Sequence, residues 1–168
     1  MAFNITVLNS CKFLAINASS YGEPTGDVVI TGLGNITGSY TATITYDVST
    51  GNGYINIPVS NLPAANGVYR ACLEEAGIAV SCKPVLIHCD IDCCLTKLTN
   101  ELLDCACDCP KCASSLARAQ KVFLLLESAN STVELASTSG SSSGYYEDIV
   151  DKYNKAKQIC DNSCGCDC

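Results

Sequence analysis

Over residues 1–88, short runs of alternating apolar and polar residues are separated by residues that favour turns. The run at 41–46 is the clearest, with Ala42, Ile44 and Tyr46 on one side and threonines between them. Such alternation is typical of a strand with one buried face. Strands are predicted at residues 4–8, 12–17, 27–31, 39–48, 54–58, 67–73 and 78–87. Many short strands separated by turns predict an all-β sandwich.

From residue 89 onward, apolar residues recur at helical spacing instead. Helices are predicted over residues 91–104, 110–137 and 145–160. Asp90 or Asp92 is the expected N-cap of the first helix. Cys109 and Pro110 begin the second, because proline is favoured in a first helical turn.

Each predicted helix has one apolar side. These sides carry Ile91, Cys94, Leu95, Leu98 and Leu102 in the first helix, Cys112, Leu116, Ala119, Phe123, Leu126 and Val133 in the second, and Tyr146, Ile149, Tyr153, Ala156 and Cys160 in the third. A loop rich in serine and glycine at 137–144 joins the second helix to the third, so the two are expected to pack antiparallel. That hairpin would bring residues 105–112 close to residues 160–168.

Composition divides the chain of 168 residues in the same place. Residues 1–88 are rich in Thr, Val, Ile, Gly and Asn, whereas residues 89–168 hold eleven of the 14 cysteines. The prediction is an α+β protein of two domains, an all-β sandwich at 1–88 and a cysteine-rich helical module at 89–168. Each is close to the size at which an apolar core alone is marginal, so the helical module is expected to need cross-links or metal.

Charge and hydropathy limit the classes of partner that are expected for this chain. The formal net charge is −7, and the ten basic residues form no cluster, which argues against nucleic acid as a partner. No apolar run approaches the length that spans a bilayer, so no membrane is expected. The first residues lead directly into a strand pattern without the basic and apolar regions of a secretory signal, so we expect synthesis in a reducing compartment without export.

The stretch Asn61-Leu-Pro-Ala-Ala-Asn-Gly-Val-Tyr69 precedes a predicted strand. It resembles the approach to the tyrosine corner of immunoglobulin-like and fibronectin-like sandwiches, in which the tyrosine hydroxyl returns to the backbone a few residues upstream. The resemblance implies an immunoglobulin-like sandwich. The chain has no Trp, and Cys72 follows Tyr69 by three residues rather than two. We therefore expect no disulfide of the antibody type.

The three cysteines of residues 1–88 are expected to be buried thiols. Cys72 and Cys82 flank a predicted turn at Ala76 and Gly77, which would place them nearly opposite each other. A cross-strand disulfide is therefore the alternative for that pair. Cys11 is also expected to be a core thiol.

The dense cysteine clusters of the tail are predicted to bind Zn²⁺ as tetrahedral thiolate sites. Their spacings let one short turn supply two sulfurs, and clustered thiols in a chain made without export favour metal over disulfide. The predicted ligands are Cys105, Cys107, Cys109, Cys112, Cys160, Cys164, Cys166 and Cys168. Disulfides formed after release from the cell are the alternative. An iron–sulfur cluster is disfavoured because the spacing is not that of a ferredoxin.

Catalysis has little support in the sequence. A cysteine nucleophile usually needs a histidine base, and the single histidine, His88, lies at the domain junction. Phosphate-loop and dinucleotide fingerprints are absent from the sequence. We expect a protein that is not an enzyme.

The tail begins with Cys89-Asp-Ile-Asp-Cys93-Cys94-Leu-Thr-Lys97-Leu98, continues through the cysteine box at 105–112, and ends with the cysteines at 164–168. This arrangement after a β-sandwich resembles small cysteine-rich virion proteins of tailed bacteriophages. The resemblance implies a structural role in the virion, in the capsid or the tail, as a homo-oligomer that also contacts other virion proteins. The alternatives are a disulfide-bonded subunit of an extracellular fibre or adhesin, and an intracellular metal-binding protein.

Overall fold

The computed structural model of the chain describes residues 2–8, 11–19, 26–103, 110–139 and 143–162. Within them, strands come first and helices follow, which confirms the α+β class. The strands are β1 (Ala2–Leu8), β2 (Phe13–Ser19), β3 (Gly26–Gly32), β4 (Ser39–Thr43), β5 (Thr45–Asp47), β6 (Asn52–Pro58), β7 (Gly67–Glu75) and β8 (Ile78–Ile87). The helices are α1 (Cys89–Leu103), α2 (Pro110–Ser139) and α3 (Ser143–Asp161).

The strands form two four-stranded antiparallel sheets, ordered β1-β2-β6-β5 and β4-β3-β7-β8. Apolar side chains from both sheets meet in one core, because alternate residues of each strand point to the same face. Members of this core are Phe3, Leu14, Ile16, Ala18, Val28, Ile30, Ile57, Tyr69, Leu73, Val85 and Ile87. The architecture is therefore a two-sheet sandwich.

The strand predicted at 39–48 was wrong as a single element. It divides at Ile44, so that β4 pairs with β3 in one sheet and β5 pairs with β6 in the other. The backbone N–H of Ile44 donates to the carbonyl of Gly26 at 3.1 Å, and its side chain is buried against Gly53, where a Cβ would overlap it. Tyr40 and Ala42 of β4 pack against the core that buries Ile44, so the alternation gives no sign of the division.

The predicted contact of Tyr69 is confirmed. Its hydroxyl donates to the carbonyl oxygen of Ala64, and the Ala64 N–H donates back to the hydroxyl at 3.0 Å. Burial raises the pKa of Tyr69, and the backbone hydrogen bond at Ala64 opposes this in part. Leu62, which precedes this corner, is buried in the same core as Tyr69. The corner fixes the path of the chain as it enters β7.

The helices cover the outer face of the second sheet. A second apolar cluster combines Val68 of β7 and Leu86 of β8 with the buried sides of the helices, where Ile91, Leu98, Val122, Leu126 and Ile149 lie. The hydroxyl of Thr132 in α2 donates to Asp148 of α3 at 2.8 Å, as expected for neighbouring antiparallel helices. The layers are thus sheet, sheet and helices.

The apolar sides predicted for the first and third helices are confirmed at their central positions. The prediction for α1 was wrong at its start: it begins at Cys89, and Asp90 and Asp92 lie in its first turn. The carbonyl of His88 accepts the first backbone hydrogen bonds, from Ile91 and Asp92. None of the described helices is long and apolar enough to cross a bilayer.

The side predicted for the second helix is confirmed at Leu126, with Ala119 and Val133 packed against the same cluster, and is wrong at Leu116 and Phe123. The buried residues are Ser115, Val122, Leu126, Ala129, Thr132 and Ala136. Leu116 and Phe123 are instead 45% and 54% exposed. The apolar run at 122–126 fits either side of a helix, so spacing alone could not choose. The small residues on the buried side allow α2 to approach its neighbours closely.

Replacing Tyr69 by Phe is expected to lower the free energy of unfolding by about 1–3 kcal/mol, because the polar groups of Ala64 lose their partner. Urea denaturation measures the change. Tyr54→Phe, on an exposed position of β6, is the control and should change stability little. Equal effects of the two substitutions would contradict the role assigned to the corner.

Candidate functional site

Three cysteine pairs lie at disulfide positions among the described residues. Cys11 pairs with Cys89, Cys72 with Cys82, and Cys94 with Cys160, with Cα–Cα distances of 6.4, 4.0 and 5.8 Å. The first pair joins the turn after β1 to the first residue of α1, and the third joins α1 to α3. Cys93 is disulfide-bonded as well. Sulfur cross-links therefore converge on α1.

The prediction of buried thiols at Cys11, Cys72 and Cys82 was wrong, because all three cysteines lie in disulfides. Cys72 and Cys82 are directly opposite in the register of β7 and β8, so the cross-strand alternative holds. The turn that sets this register was predicted, and Gly77 has the positive φ of 76° expected there. Cys11 pairs with a residue 78 positions away, and no local pattern announces a contact of that range.

The predicted zinc ligands lie mostly outside the described residues. This is true of Cys105, Cys107, Cys109, Cys164, Cys166 and Cys168, and of the side chain of Cys112. Cys160 lies in the disulfide with Cys94, and a sulfur in a disulfide is not a thiolate ligand. In the described part of the chain, no group of three or more His, Cys, Asp and Glu side chains could hold a metal ion. Zinc binding by the tail stays a prediction.

Asp90 lies at the centre of a polar network at the start of α1. Its Oδ2 accepts hydrogen bonds from the Tyr153 hydroxyl at 2.9 Å and from the Lys157 ammonium at 3.2 Å. Its backbone N–H donates to the Asn66 side chain at 3.2 Å, just before β7. One residue thus contacts the sandwich and α3 at the same time.

The sequence pointed to only part of this network. Asp90 was assigned to a cap, and Tyr153 to an apolar side, whereas the tyrosine has an apolar ring in the helical cluster and a hydroxyl on the carboxylate. Tyr153, Lys157 and Cys160 follow one another at spacings of four and three residues, which puts them on one side of α3. That spacing was visible in the sequence, but nothing in it identified Asp90, 63 residues away, as the partner of Tyr153.

The network changes the proton affinity of its members. Burial, followed by the charge and hydrogen bond of Asp90, raises the pKa of the Tyr153 hydroxyl. Burial alone would lower the pKa of Lys157, but the hydrogen bond and charges of Asp90 and Asp161 outweigh it and raise that pKa. Both groups therefore hold their protons more tightly in the folded chain than in the unfolded one.

A cleft of about 310 Å³ opens beside this network. It is lined by Asn66, Cys89, Asp90, Ile91, Cys93, Lys157, Cys160 and Asp161. The sulfurs at its edge are in disulfides, and the carboxylate of Asp90 is engaged by Tyr153 and Lys157. His88 Nδ1 lies 3.0 Å from Asp92 Oδ2, four residues later in the first turn of α1. The arrangement is suited to holding elements together.

Comparison with protein-family models and with curated proteins finds no match for this chain.

Removing the Cys94–Cys160 cross-link by replacing both residues with Ala is expected to lower stability by about 2–4 kcal/mol. The bond spans 66 residues, so its loss greatly increases the freedom of the unfolded chain. Urea denaturation without reductant measures the effect. The matched control is the double replacement of Cys72 and Cys82, whose bond spans 10 residues and should matter less. A smaller loss for the 94/160 variant than for the control would contradict this.

Stability is expected to fall as the pH rises above about 10. The unfolded chain releases the protons of Tyr153 and Lys157 near their ordinary pKa values of about 10. The folded chain holds them to higher pH, so deprotonation favours unfolding. Urea denaturation at pH 8 and pH 10.5, with free thiols alkylated, measures the fall. It should be shallower in Tyr153→Phe, whereas Tyr145→Phe on the same helix should match the parent. An unchanged slope in Tyr153→Phe would argue against the network.

Proposed function

We propose that this chain is a non-enzymatic structural protein of a tailed-phage virion, that it assembles in multiple copies, and that its sandwich is immunoglobulin-like. The virion assignment rests on a resemblance to small cysteine-rich virion proteins of tailed bacteriophages. The segment from Cys89 to Leu98 and the later cysteine clusters carry that resemblance. The geometry supports the structural role, as the following features explain.

The strand order supports an immunoglobulin-like sandwich. With the strands lettered A, B, C, C′, D, E, F and G from β1 to β8, the sheets read A-B-E-D and C′-C-F-G. This is the immunoglobulin arrangement of A-B-E-D against C-F-G, with one further strand beside C. Tyr69 makes its corner at the start of the strand lettered F, which is where such sandwiches place it. Sandwiches of this kind serve many proteins as docking modules, so the fold alone does not fix a role.

Cross-links make the sandwich and the helices suited to move as one body. Cys11 and Cys89 tie the sandwich to α1, Cys94 and Cys160 tie α1 to α3, and the second apolar cluster fills the space between. A rigid body loses little conformational freedom when it binds a neighbour. That property favours a subunit that must hold a fixed place in an assembly.

The observation that carries the proposal is a set of exposed apolar side chains on α2. They are Leu116, Phe123, Leu124 and Leu135, exposed by 45%, 54%, 66% and 55%. Leu116 and Phe123 are two turns apart, and Leu124 and Leu135 three turns, so each pair lies on one side of the helix. Large apolar side chains grouped on a surface mark sites of association.

A second copy of this chain is the molecule that we propose to cover these residues. Two copies related by a two-fold axis would place the same exposed set of each chain against that of the other, so that a single contact covers both.

A subunit of an extracellular fibre or adhesin is the second candidate. Disulfides persist in oxidising surroundings and are rare in reducing cytoplasm, and the pairs at Cys11–Cys89, Cys72–Cys82 and Cys94–Cys160 favour such surroundings. A virion protein released by lysis would meet the same conditions. Co-sedimentation of the native chain with DNA-filled particles would favour the virion, and its recovery from the surface of intact cells would favour the fibre.

Replacing Phe123 and Leu124 together by Ser is expected to lower the association constant of the chain at least tenfold, because the centre of the apolar set is lost. Native mass spectrometry and light scattering over a concentration series measure the copy number. Val48→Ser is the matched control, since Val48 is an exposed apolar residue of the sandwich far along the chain from α2. A monomeric parent protein would refute assembly through α2, and unchanged association of the double variant would refute this surface.

A further inference from the structure

The Cys72–Cys82 disulfide has a surrounding that differs from that of the other cross-links. It lies on the outward side of β7 and β8, toward the hairpin tip, whereas the sheet residues that join the helical cluster, Val68 and Leu86, lie nearer the other end of these strands. Cys72 is only 3% exposed, whereas Cys82 is half-buried. Cys82 is therefore the residue of the pair that a reagent in solution reaches more easily.

A guanidinium group adjoins the less exposed sulfur. The Nε–H of Arg70 donates to Cys72 Sγ at 3.2 Å. Arg70 and Cys72 are two residues apart on one strand, so both side chains leave the same face of the sheet. Glu74 is the next residue on that face, on the far side of Cys72 from Arg70. A cation this close stabilises a thiolate and lowers the pKa of a thiol.

We propose that Cys82 is a site of thiol exchange with small thiols, and that Arg70 assists by stabilising Cys72 as the departing thiolate. The attacking thiolate forms a new S–S bond to Cys82 Sγ, and the bond between Cys82 and Cys72 breaks. The electron pair of that bond leaves with Cys72 Sγ, beside Arg70. The result is a mixed disulfide on Cys82 and a free thiolate on Cys72, so the step needs no oxidant or reductant beyond the thiol itself.

The rate of such exchange rises with access to the attacked sulfur and with the acidity of the leaving thiol. Cys82 supplies the access, and Arg70 supplies the acidity at Cys72. The Cys94–Cys160 pair offers an attacking thiol less access, because both residues are at most 3% exposed. The exchange therefore favours the sandwich hairpin over the cross-link that holds the helices.

Exchange at this bond would alter an exposed apolar tip. The hairpin beyond the disulfide carries Ile78 and Val80, both exposed, and the disulfide is the covalent link between its two strands. Opening the link leaves the backbone hydrogen bonds of the hairpin but frees its end. Thiols would thus modify the hairpin end before they open the link between α1 and α3.

The test treats the native chain with 2-mercaptoethanol, a neutral small thiol, and stops the reaction with iodoacetamide at intervals. Peptide mass spectrometry then locates each adduct. We expect mercaptoethanol on Cys82 and the acetamide group on Cys72, before Cys94 or Cys160 reacts. Arg70→Gln should slow the opening by about three- to tenfold, because the leaving thiolate loses its cation. Arg70→Lys should retain most of the parent rate.

Lys155→Gln is the matched control. It removes one positive charge from an exposed site on α3 and should leave the rate at Cys82 unchanged. Arg70 is itself exposed, so its replacement should not unfold the chain, and circular dichroism checks this. Mercaptoethanol on Cys72 rather than Cys82, equal rates in Arg70→Gln and the parent, or earlier opening of Cys94–Cys160 would each overturn the proposal.

Discussion

The carboxylate of Asp90 joins segments that are far apart in the chain. Tyr153 and Lys157 reach it from positions 63 and 67 residues away, and the backbone of the same residue binds Asn66 of the sandwich. Cys89, the preceding residue, is covalently tied to Cys11. The start of α1 is therefore fixed to the sandwich and to α3 together. The apolar cluster over Val68 and Leu86 depends on this, because it fills only when the helices lie at that place.

At the start of α1, the interactions that set the position of the helices differ from those that supply the free energy of folding. The side chains of Lys157 and Asp90 are 43% and 23% exposed, and ion pairs that solvent reaches contribute about 0–1 kcal/mol. A buried Ile91, Leu98 or Ile149 contributes about 1.5–3 kcal/mol each, and a disulfide closing a long loop typically about 2–4 kcal/mol. The free energy thus comes from apolar burial and sulfur cross-links. The polar contacts select which of the possible helix positions is occupied, because only one places Tyr153 and Lys157 on the same carboxylate.

The local periodicity of the sequence predicted most of the strands and helices. It did not predict contacts between residues that are distant in the chain. The strand patterns and the apolar side of α3 follow from the identities of neighbouring residues, so they could be read directly. The change of sheet at Ile44 could not, because a strand that passes from one sheet to the other keeps the same alternation. The pairing of Cys11 with Cys89 had no local signal, whereas the zinc prediction for the tail rested on cysteine spacing and on the expected compartment. Asp90 was assigned to a cap from its neighbours alone, and its Oδ1 does accept from the Ile91 N–H. Its contacts with Tyr153 and Lys157 on α3 have no local signal.

The wrong prediction for α2 carries information of its own. Leu116 and Phe123 recur at helical spacing, which is why the sequence placed them on the buried side. The fold instead buries Ser115, Val122 and Thr132, residues whose small or branched side chains fit the space between the helix and its neighbours. The helix therefore has apolar residues on a side that the fold of a single chain does not use. Exposed leucine and phenylalanine add nothing to the folded monomer and favour aggregation. Their presence at regular spacing is the reason for which we propose that a second copy of the chain covers them.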